Sequence, residues 1–216
     1  MAPVGMESVG CRNRATDARR RARTAAAAAC LLAGLLAGGC VTQPRPVIRP
    51  SAPPPPTLAG HAVPASVLDA DVAVVVHKAV RTLEIYRRGI LVSEYPVVLG
   101  KRRGPKRYEG DLRTPEGLYF VSKKQPHPRW RYFIGIDYPN AEDERRYEEA
   151  LTSRQLPIFD GIPPRIGNGL GIHGNDKPRE QAAGEDWTQG CIAMRNRDIA
   201  TLYRLVDRGT PVLLIE

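Results

Sequence analysis

Residues 41–64 hold eight prolines, with Pro53, Pro54, Pro55 and Pro56 in a row. Proline lacks a backbone N–H and fixes φ, so such a stretch favours an extended polyproline II path and has no means of building a core. At about 3.1 Å per residue it reaches roughly 75 Å when fully extended. It reads as a tether rather than as a folded element. About 150 residues remain after it, the size of one domain. No internal repeat divides them.

What precedes the proline stretch reads as an export signal. Arg19, Arg20, Arg21 and Arg23 form a basic start, and residues 24–39 are uncharged and mostly Ala, Leu and Gly. The apolar run is shorter than the roughly 20 residues a membrane-spanning helix needs, and it suits the apolar region of a signal peptide. Its end, Leu36-Ala37-Gly38-Gly39-Cys40, resembles a bacterial lipobox, with Ala37 where a larger aliphatic residue is usual. That resemblance implies lipidation of Cys40 as the mature N-terminus; an ordinary signal peptide cut near the same residues is the plainer alternative. The expected organisation is a signal peptide over 1–39, a lipidated Cys40 and Pro-rich tether over 40–64, and a folded domain over 65–216.

The charge supports this division. Of the formal net +9, residues 1–40 carry +4 and residues 41–64 carry +2, leaving +3 for the rest. A nucleic-acid binder shows a basic patch on its folded domain. Here the excess lies mostly in the leader and tether, so nucleic acid is set aside as a partner.

The domain itself reads as strands. Val72 to His77 is an aliphatic, β-branched run. Thr82 to Tyr86 and Ile90 to Tyr95 form two strands around a turn at Arg88-Gly89, and Val97 to Leu99 extends them. Gly117 to Lys123, Arg131 to Asp137 and Leu170 to His173 follow. Asn140 is placed as the N-cap of a short charged helix ending near Thr152. Asn196 is placed as the cap of a second helix, whose Ile199, Leu202, Tyr203 and Val206 keep helical spacing, with Gly209 ending it. Pro211 to Ile215 is a last strand. Most connections are too short to hold crossover helices, which argues against a parallel α/β fold. The expectation is a strand-dominated domain with two modest helices.

The chain has four cysteines: Cys11, Cys30, Cys40 and Cys191. If the leader is removed at Cys40, Cys191 is the one thiol of the folded part. It lacks an internal disulfide partner, and one thiol with one upstream histidine is a poor start for a metal site. A lone Cys with a His elsewhere is a candidate nucleophile and base. His173, in Gly171-Ile172-His173-Gly174-Asn175, serves as a neutral base or in a thiolate–imidazolium pair. Gly190 permits close backbone approach, and the Gly190 and Cys191 amides are candidate oxyanion donors. The plain alternatives are an inert buried thiol and a strand-end histidine held by a structural hydrogen bond.

Several spaced motifs favour the chemical reading. His173-Gly174 precedes Thr188-Gln189-Gly190-Cys191. Earlier stands Gly110-Asp111-Leu112-Arg113-Thr114-Pro115-Glu116-Gly117; Tyr138-Pro139-Asn140 and Gly209-Thr210-Pro211-Val212 follow their own places in the order. From about Val72 to Glu216 the chain resembles the L,D-transpeptidase family, the YkuD domain of bacterial cell-wall enzymes. It departs at Gln189, where the family most often has a second histidine, and at Ala193, where an Arg often follows Cys-Ile.

The resemblance implies that residues 65–216 form a mainly β, sandwich- or barrel-like catalytic domain with Cys191, His173 and Gly190 as catalytic residues. Thr188, Gln189, Gly174, Asn175 and Trp187 would bind substrate. It implies peptidoglycan stem peptides as substrate, an amine or a wall-linked protein as acyl acceptor, and no metal or organic cofactor. The lipobox resemblance implies a periplasmic lipoprotein held by Cys40, and Val41 rather than Asp after the cysteine leans toward the outer rather than the inner membrane. A carboxypeptidase using water and a non-catalytic peptidoglycan-binding lipoprotein stand as alternatives, Gln189 being the feature that favours the last.

Other residues receive structural readings. His77 is taken as structural, His127 as part of a loop rim between Pro126 and Pro128, and Arg195 as solvated. Trp130, Tyr132 and Trp187 either wall a groove or pack in the core. Gly167-Asn168-Gly169-Leu170-Gly171 looks like a nucleotide loop but is followed by no helix.

Overall fold

The computed structural model describes residues 57–58 and 61–216. The expected leader, Cys40 and most of the tether lie outside them; the last tether residues do not, and they hold two short paired strands and the buried Val63, because Val63 packs with Val67 and Val75, so packing begins before residue 65. Two short strands, β1 (Thr57–Leu58) and β2 (His61–Ala62), pair with each other. A single turn of helix, α1 (Ala65–Leu68), follows. The strands β3 (Ala73–His77), β4 (Thr82–Arg87) and β5 (Ile90–Pro96) come next, then the long β6 (Gly117–His127) and β7 (Arg131–Ile136). After α2 (Ala141–Thr152) the chain runs through β8 (Gly171–His173), α3 (Pro178–Ala183), β9 (Ile192–Ala193), α4 (Asn196–Leu205) and β10 (Pro211–Ile215).

The eight strands β3–β10 form one sheet in the order β5-β4-β3-β10-β6-β7-β8-β9. All five residues of β3 are buried because the strand is covered on both faces. Val74 and Val76 enter the main core with Leu83, Ile134, Ile172, Ile192 and Leu202. Ala73 and Val75 enter a second cluster with Val63, Val67 and Leu213. This is the two-residue period of a strand, read twice.

β6 joins the two halves of the sheet. Its first residues pair with β10, as Phe120 with Pro211, and its later ones pair with β7, as His127 with Arg131. The register slips between Val121 and Lys123, and such a bulge bends a strand and adds twist. The far edge, β9, is thereby met by the chain leaving β5. Val98 N–H donates to Ala193 O at 3.0 Å, and Ala193 N–H donates back to Val98 O at 2.8 Å. Residues 97–100 thus link the two ends of the sheet, giving the barrel-like character expected from sequence.

The strand expectations hold with small changes of boundary, except that residues 97–99 make isolated bridges rather than a named strand. The sheet is mixed: β10 and β3 are parallel, as are β8 and β9. The β8–β9 connection is long enough to hold α3. Asn140 caps α2, accepting from the amides of Glu142 and Asp143, whose own side chain returns the bond to Asn140 N–H. Four helices, not two, stand among the described residues. Pro178 in the first turn of α3 and Gly184 just past it, in the left-handed region at φ 69°, were start and stop signals that went unread.

The C-terminal helix differs at both ends. Arg195 is its cap position, with no side-chain cap bond, and the helix ends at Leu205, so Gly209 belongs to the turn before β10. Asn196 lies inside the first turn, where its side chain is free to bond elsewhere. No helix among the described residues is long and apolar enough to cross a membrane.

Candidate active site

β8 and β9 run parallel, with Ile172 opposite Ile192 and His173 opposite Ala193. Ile172 and Ile192 are fully buried, and burying such a side chain contributes about 1.5–3 kcal/mol. The register is therefore strongly specified. It places Cys191, one residue before β9, level with Gly171 and on the face that carries His173, because side chains alternate along a strand. Both residues line one groove of about 500 Å³. Trp130, Trp187, Thr188 and Gln189 line it too, with Lys101, Lys106, Arg129 and Lys177 against the single carboxylate of Glu109. A second cavity, of about 340 Å³, lies against α2 and contains neither Cys191 nor His173.

His173 is 1% exposed. Its Nδ1 donates to the Gly174 carbonyl at 2.5 Å, which leaves Nε2 with a free lone pair. The Trp130 indole stacks on the imidazole at 4.1 Å between centroids, and Trp187 meets it edge-on at 5.8 Å. Burial pushes the imidazole down to about 4, against the opposing influence of the Gly174 carbonyl and Asp176; His127 and Arg129 add to the depression. Burial also raises the Cys191 thiol, opposed by the Gly171 backbone and the Lys106 cation. Both groups are thus held in their neutral forms.

The loop before Cys191 is fixed by its own motif. Asp186 accepts from both Nε and Nη2 of Arg81, the latter at 2.7 Å, and from the Leu99 amide at 2.9 Å. Thr188 N–H donates to Leu99 O, and Lys101 N–H to Thr188 O. The Thr188 hydroxyl donates to Cys191 O at 2.6 Å and accepts from Gly190 N–H at 3.1 Å. Gly190 has φ 137°, and a Cβ there would lie 2.7 Å from Arg113 O, so only glycine suits the turn.

Three expectations change here. The Gly190 amide is taken by Thr188, which removes it as an oxyanion donor in this conformation; the tight 188–191 turn is the reason. Gly174 and Asn175 do not line the groove. Gly174 is buried under the Trp130 turn, donating to Trp130 O at 3.0 Å. The Asn175 backbone is clamped by Asn196, whose Oδ1 accepts from Asn175 N–H and whose Nδ2 donates to Asn175 O. Asn196 thus steadies the segment after His173 rather than capping a helix. Gln189 is exposed on the groove, with Thr188 buried and Trp187 half-buried beside it.

Among the residues given structural readings, His77 is buried with Nε2 3.0 Å from Glu84 Oε2. Tyr132 stacks on Tyr203 at 4.2 Å, away from the groove. His127 ends β6 and stacks on Trp130 at 4.4 Å. Sequence reading missed Lys106 and Asp176. The Lys106 ammonium is buried, donating to Asp111 Oδ1 at 2.9 Å and to Tyr108 O at 3.0 Å. Asp111 also accepts from the amides of Arg107, Tyr108 and Arg113, which explains a Gly-Asp at that point in the chain. No cluster of His, Cys, Asp or Glu fit to hold a metal occurs among the described residues.

With this geometry in place, known proteins offer a comparison. Residues 71–214 match the YkuD family, described as the L,D-transpeptidase catalytic domain. The YkuD protein of Bacillus licheniformis is 28% identical over 132 residues, covering 61% of this chain and 58% of its own length. The YqjB protein of Bacillus subtilis is 30% identical over 151 residues, covering 69% and 74%. The chain thus spans little more than half of the first relative and about three quarters of the second. A variant of the helical cell shape determining protein Pgp2 from Campylobacter jejuni has a TM-score of 0.50 at 24% identity, covering 67% of this chain and 47% of that one. That likeness is one of fold. The family match, spanning most of the described residues and both chemistry-bearing motifs, makes this chain a member of the YkuD L,D-transpeptidase catalytic-domain family.

Proposed function

We propose that the protein is a cysteine acyltransferase of the bacterial cell wall, an L,D-transpeptidase that passes a peptidoglycan stem peptide through a thioester on Cys191. The observation that carries this reading is that Cys191 and His173 line one groove, with Nδ1 of His173 engaged by a carbonyl and Nε2 left with its lone pair.

The chemistry follows from that arrangement. Cys191 Sγ attacks the carbonyl of the diamino acid's L-centre while the thiol proton passes to His173 Nε2. The C–N bond to the terminal D-amino acid breaks, and the imidazolium returns the proton to the departing amine. An acceptor amine then attacks the thioester, giving its proton to Nε2. The C–S bond breaks and the sulfur regains the proton. A burial that disfavours both charged forms suits a neutral thiol–imidazole pair rather than a standing ion pair. With Gly190 engaged, the Cys191 amide is the donor we assign to the developing oxyanion.

Mass spectrometry of stem peptides incubated with the protein tests the reading. A thioester on Cys191 and a product joined to an added amine are expected. Product joined only to water would make it a carboxypeptidase. Tight binding with no adduct under any condition would make it a wall-binding module and end the proposal. Export and lipid anchoring at Cys40, through the Pro-rich tether into the periplasm and onto the outer membrane, are proposed on the leader sequence alone.

A further inference from the structure

The turn between β6 and β7 carries an aromatic assembly that no family motif accounts for. Its residues are His127, Pro128, Arg129 and Trp130. His127 Nδ1 accepts from the amides of Arg129 at 3.3 Å and Trp130 at 3.2 Å, closing the turn on its own side chain. The acceptor role puts the proton of neutral His127 on Nε2. The three rings His127, Trp130 and His173 then stack in a column, at 4.4 and 4.1 Å between neighbours and with interplanar angles of 15° and 20°.

The column is tied to the segment after β8 at two points. Trp130 O accepts from Gly174 N–H at 3.0 Å. Trp130 Nε1 donates to Asp176 Oδ1 at 3.3 Å, and Asp176 is itself paired with Arg129. A Cβ on Gly174 would fall 2.2 Å from Trp130 O, so the two segments are packed at backbone contact. Each restraint leads to the imidazole that bonds Gly174 O.

We infer that Trp130 is a positioning residue for His173: buttressed by His127 on its outer face and held by Asp176 at its N–H, it fixes the plane of the imidazole, with Nδ1 on Gly174 O and Nε2 left for the thiol. The inference rests on the proposed role of His173 but is separable from it, because ring orientation and tautomer are properties of the resting protein. Stacking also excludes water from one face of the ring, in keeping with its depressed protonation. The other titratable or charged groups near it are Asp176, His127 and Arg129, with Lys101, Lys106, Glu109, Lys177 and Cys191 lining the same groove.

The test is imidazole ¹⁵N–¹H NMR on the full chain, which has only four histidines to assign. Wild type is expected to show His173 as the Nδ1–H tautomer, neutral down to about pH 4. Trp130→Leu should mix the tautomers and move the His173 midpoint upward toward the ordinary value near 6.5. Trp130→Phe, which keeps a flat ring but loses the N–H bond to Asp176, should bring the midpoint back toward the wild-type value while leaving the tautomers partly mixed. In parallel, Trp130→Leu should slow β-lactam acylation of Cys191 at saturation by about 10-fold or more, an effect on kcat beyond any on KM. If Trp130→Leu does not fold, Asp176→Ala frees the indole N–H and should likewise mix the tautomers. An unchanged His173 tautomer and midpoint in a folded Trp130→Leu, or an unchanged tautomer in Asp176→Ala where only that variant folds, would overturn the inference. Should wild type give no adduct while the NMR shifts occur, the positioning stands and the transpeptidase reading falls.

Discussion

The imidazole of His173 is bonded through Nδ1 to the carbonyl of Gly174, the very next residue, at 2.5 Å. A backbone acceptor does here what a carboxylate does in many Cys–His and Ser–His pairs, fixing tautomer and ring plane. It brings no negative charge to stabilise the imidazolium. Together with burial, this leaves His173 a weak base, and in the proposed reaction it would accept the thiol proton only as the sulfur forms its bond to carbon.

Replacing the base should therefore cost more than replacing its exposed neighbour. His173→Ala is expected to slow acylation by about 10² to 10⁴. Gln189→Ala should cost less than about 10-fold, since its amide does not act as a base near neutral pH and its side chain is exposed. Stopped-flow acylation by a β-lactam, read by mass spectrometry, gives both numbers; equal losses would contradict the assignment. Cys191→Ala should give no adduct and keep the fold.

The acid limb of that reaction should lie unusually low. His173 accepts a proton only while neutral, and it becomes charged below about pH 4. Acylation should fall as pH drops through that value, and the limb should be missing in His173→Ala. A limb near 6.5 would mean that the ring is hydrated.

The same burial makes a stability claim. His173 titrates near 6.5 unfolded and near 4 folded, so between these values the unfolded chain binds more protons. Stability from this group is full above pH 6.5 and is lost as pH falls toward 4, by roughly 3 kcal/mol. Urea unfolding of wild type and His173→Phe from pH 7 to 4 measures it. The difference between their pH slopes should have this sign.

Gly190→Ala should disable the site without touching either reacting group. The new Cβ meets Arg113 O at 2.7 Å, in a backbone conformation that L side chains rarely adopt. A cost of about 1–3 kcal/mol is expected, and acylation should fall at least as much as in Gln189→Ala. Thermal unfolding with acylation kinetics checks both.

Cys40→Ser should release the protein from membranes and leave acylation of the purified protein unchanged. Fractionation and N-terminal mass spectrometry decide this; a mature N-terminus elsewhere would refute lipidation while leaving export standing.

Sequence alone determined the longer strands, the helix α2 with its Asn140 cap, and the family, because these rest on local periodicity and on motifs contiguous in the chain; β1, β2 and β9, two residues each, are too short to show a period. It also singled out Cys191 and His173 through residue type and neighbouring glycines. The tertiary structure decided what depends on contacts between distant segments. The acceptor for His173 is a backbone carbonyl, whose direction no residue type encodes. Trp130 and His127, more than 40 residues before His173, join its ring only because β6, β7 and β8 are neighbours in the sheet. Asn196 had a cap's composition but found its partner in Asn175, across the chain. Gly190 offered an amide that the fold had already given to Thr188. Hydrogen-bond partners and ring stacks are set by which surfaces the core brings together, and that information is spread over the whole chain rather than written at any one position.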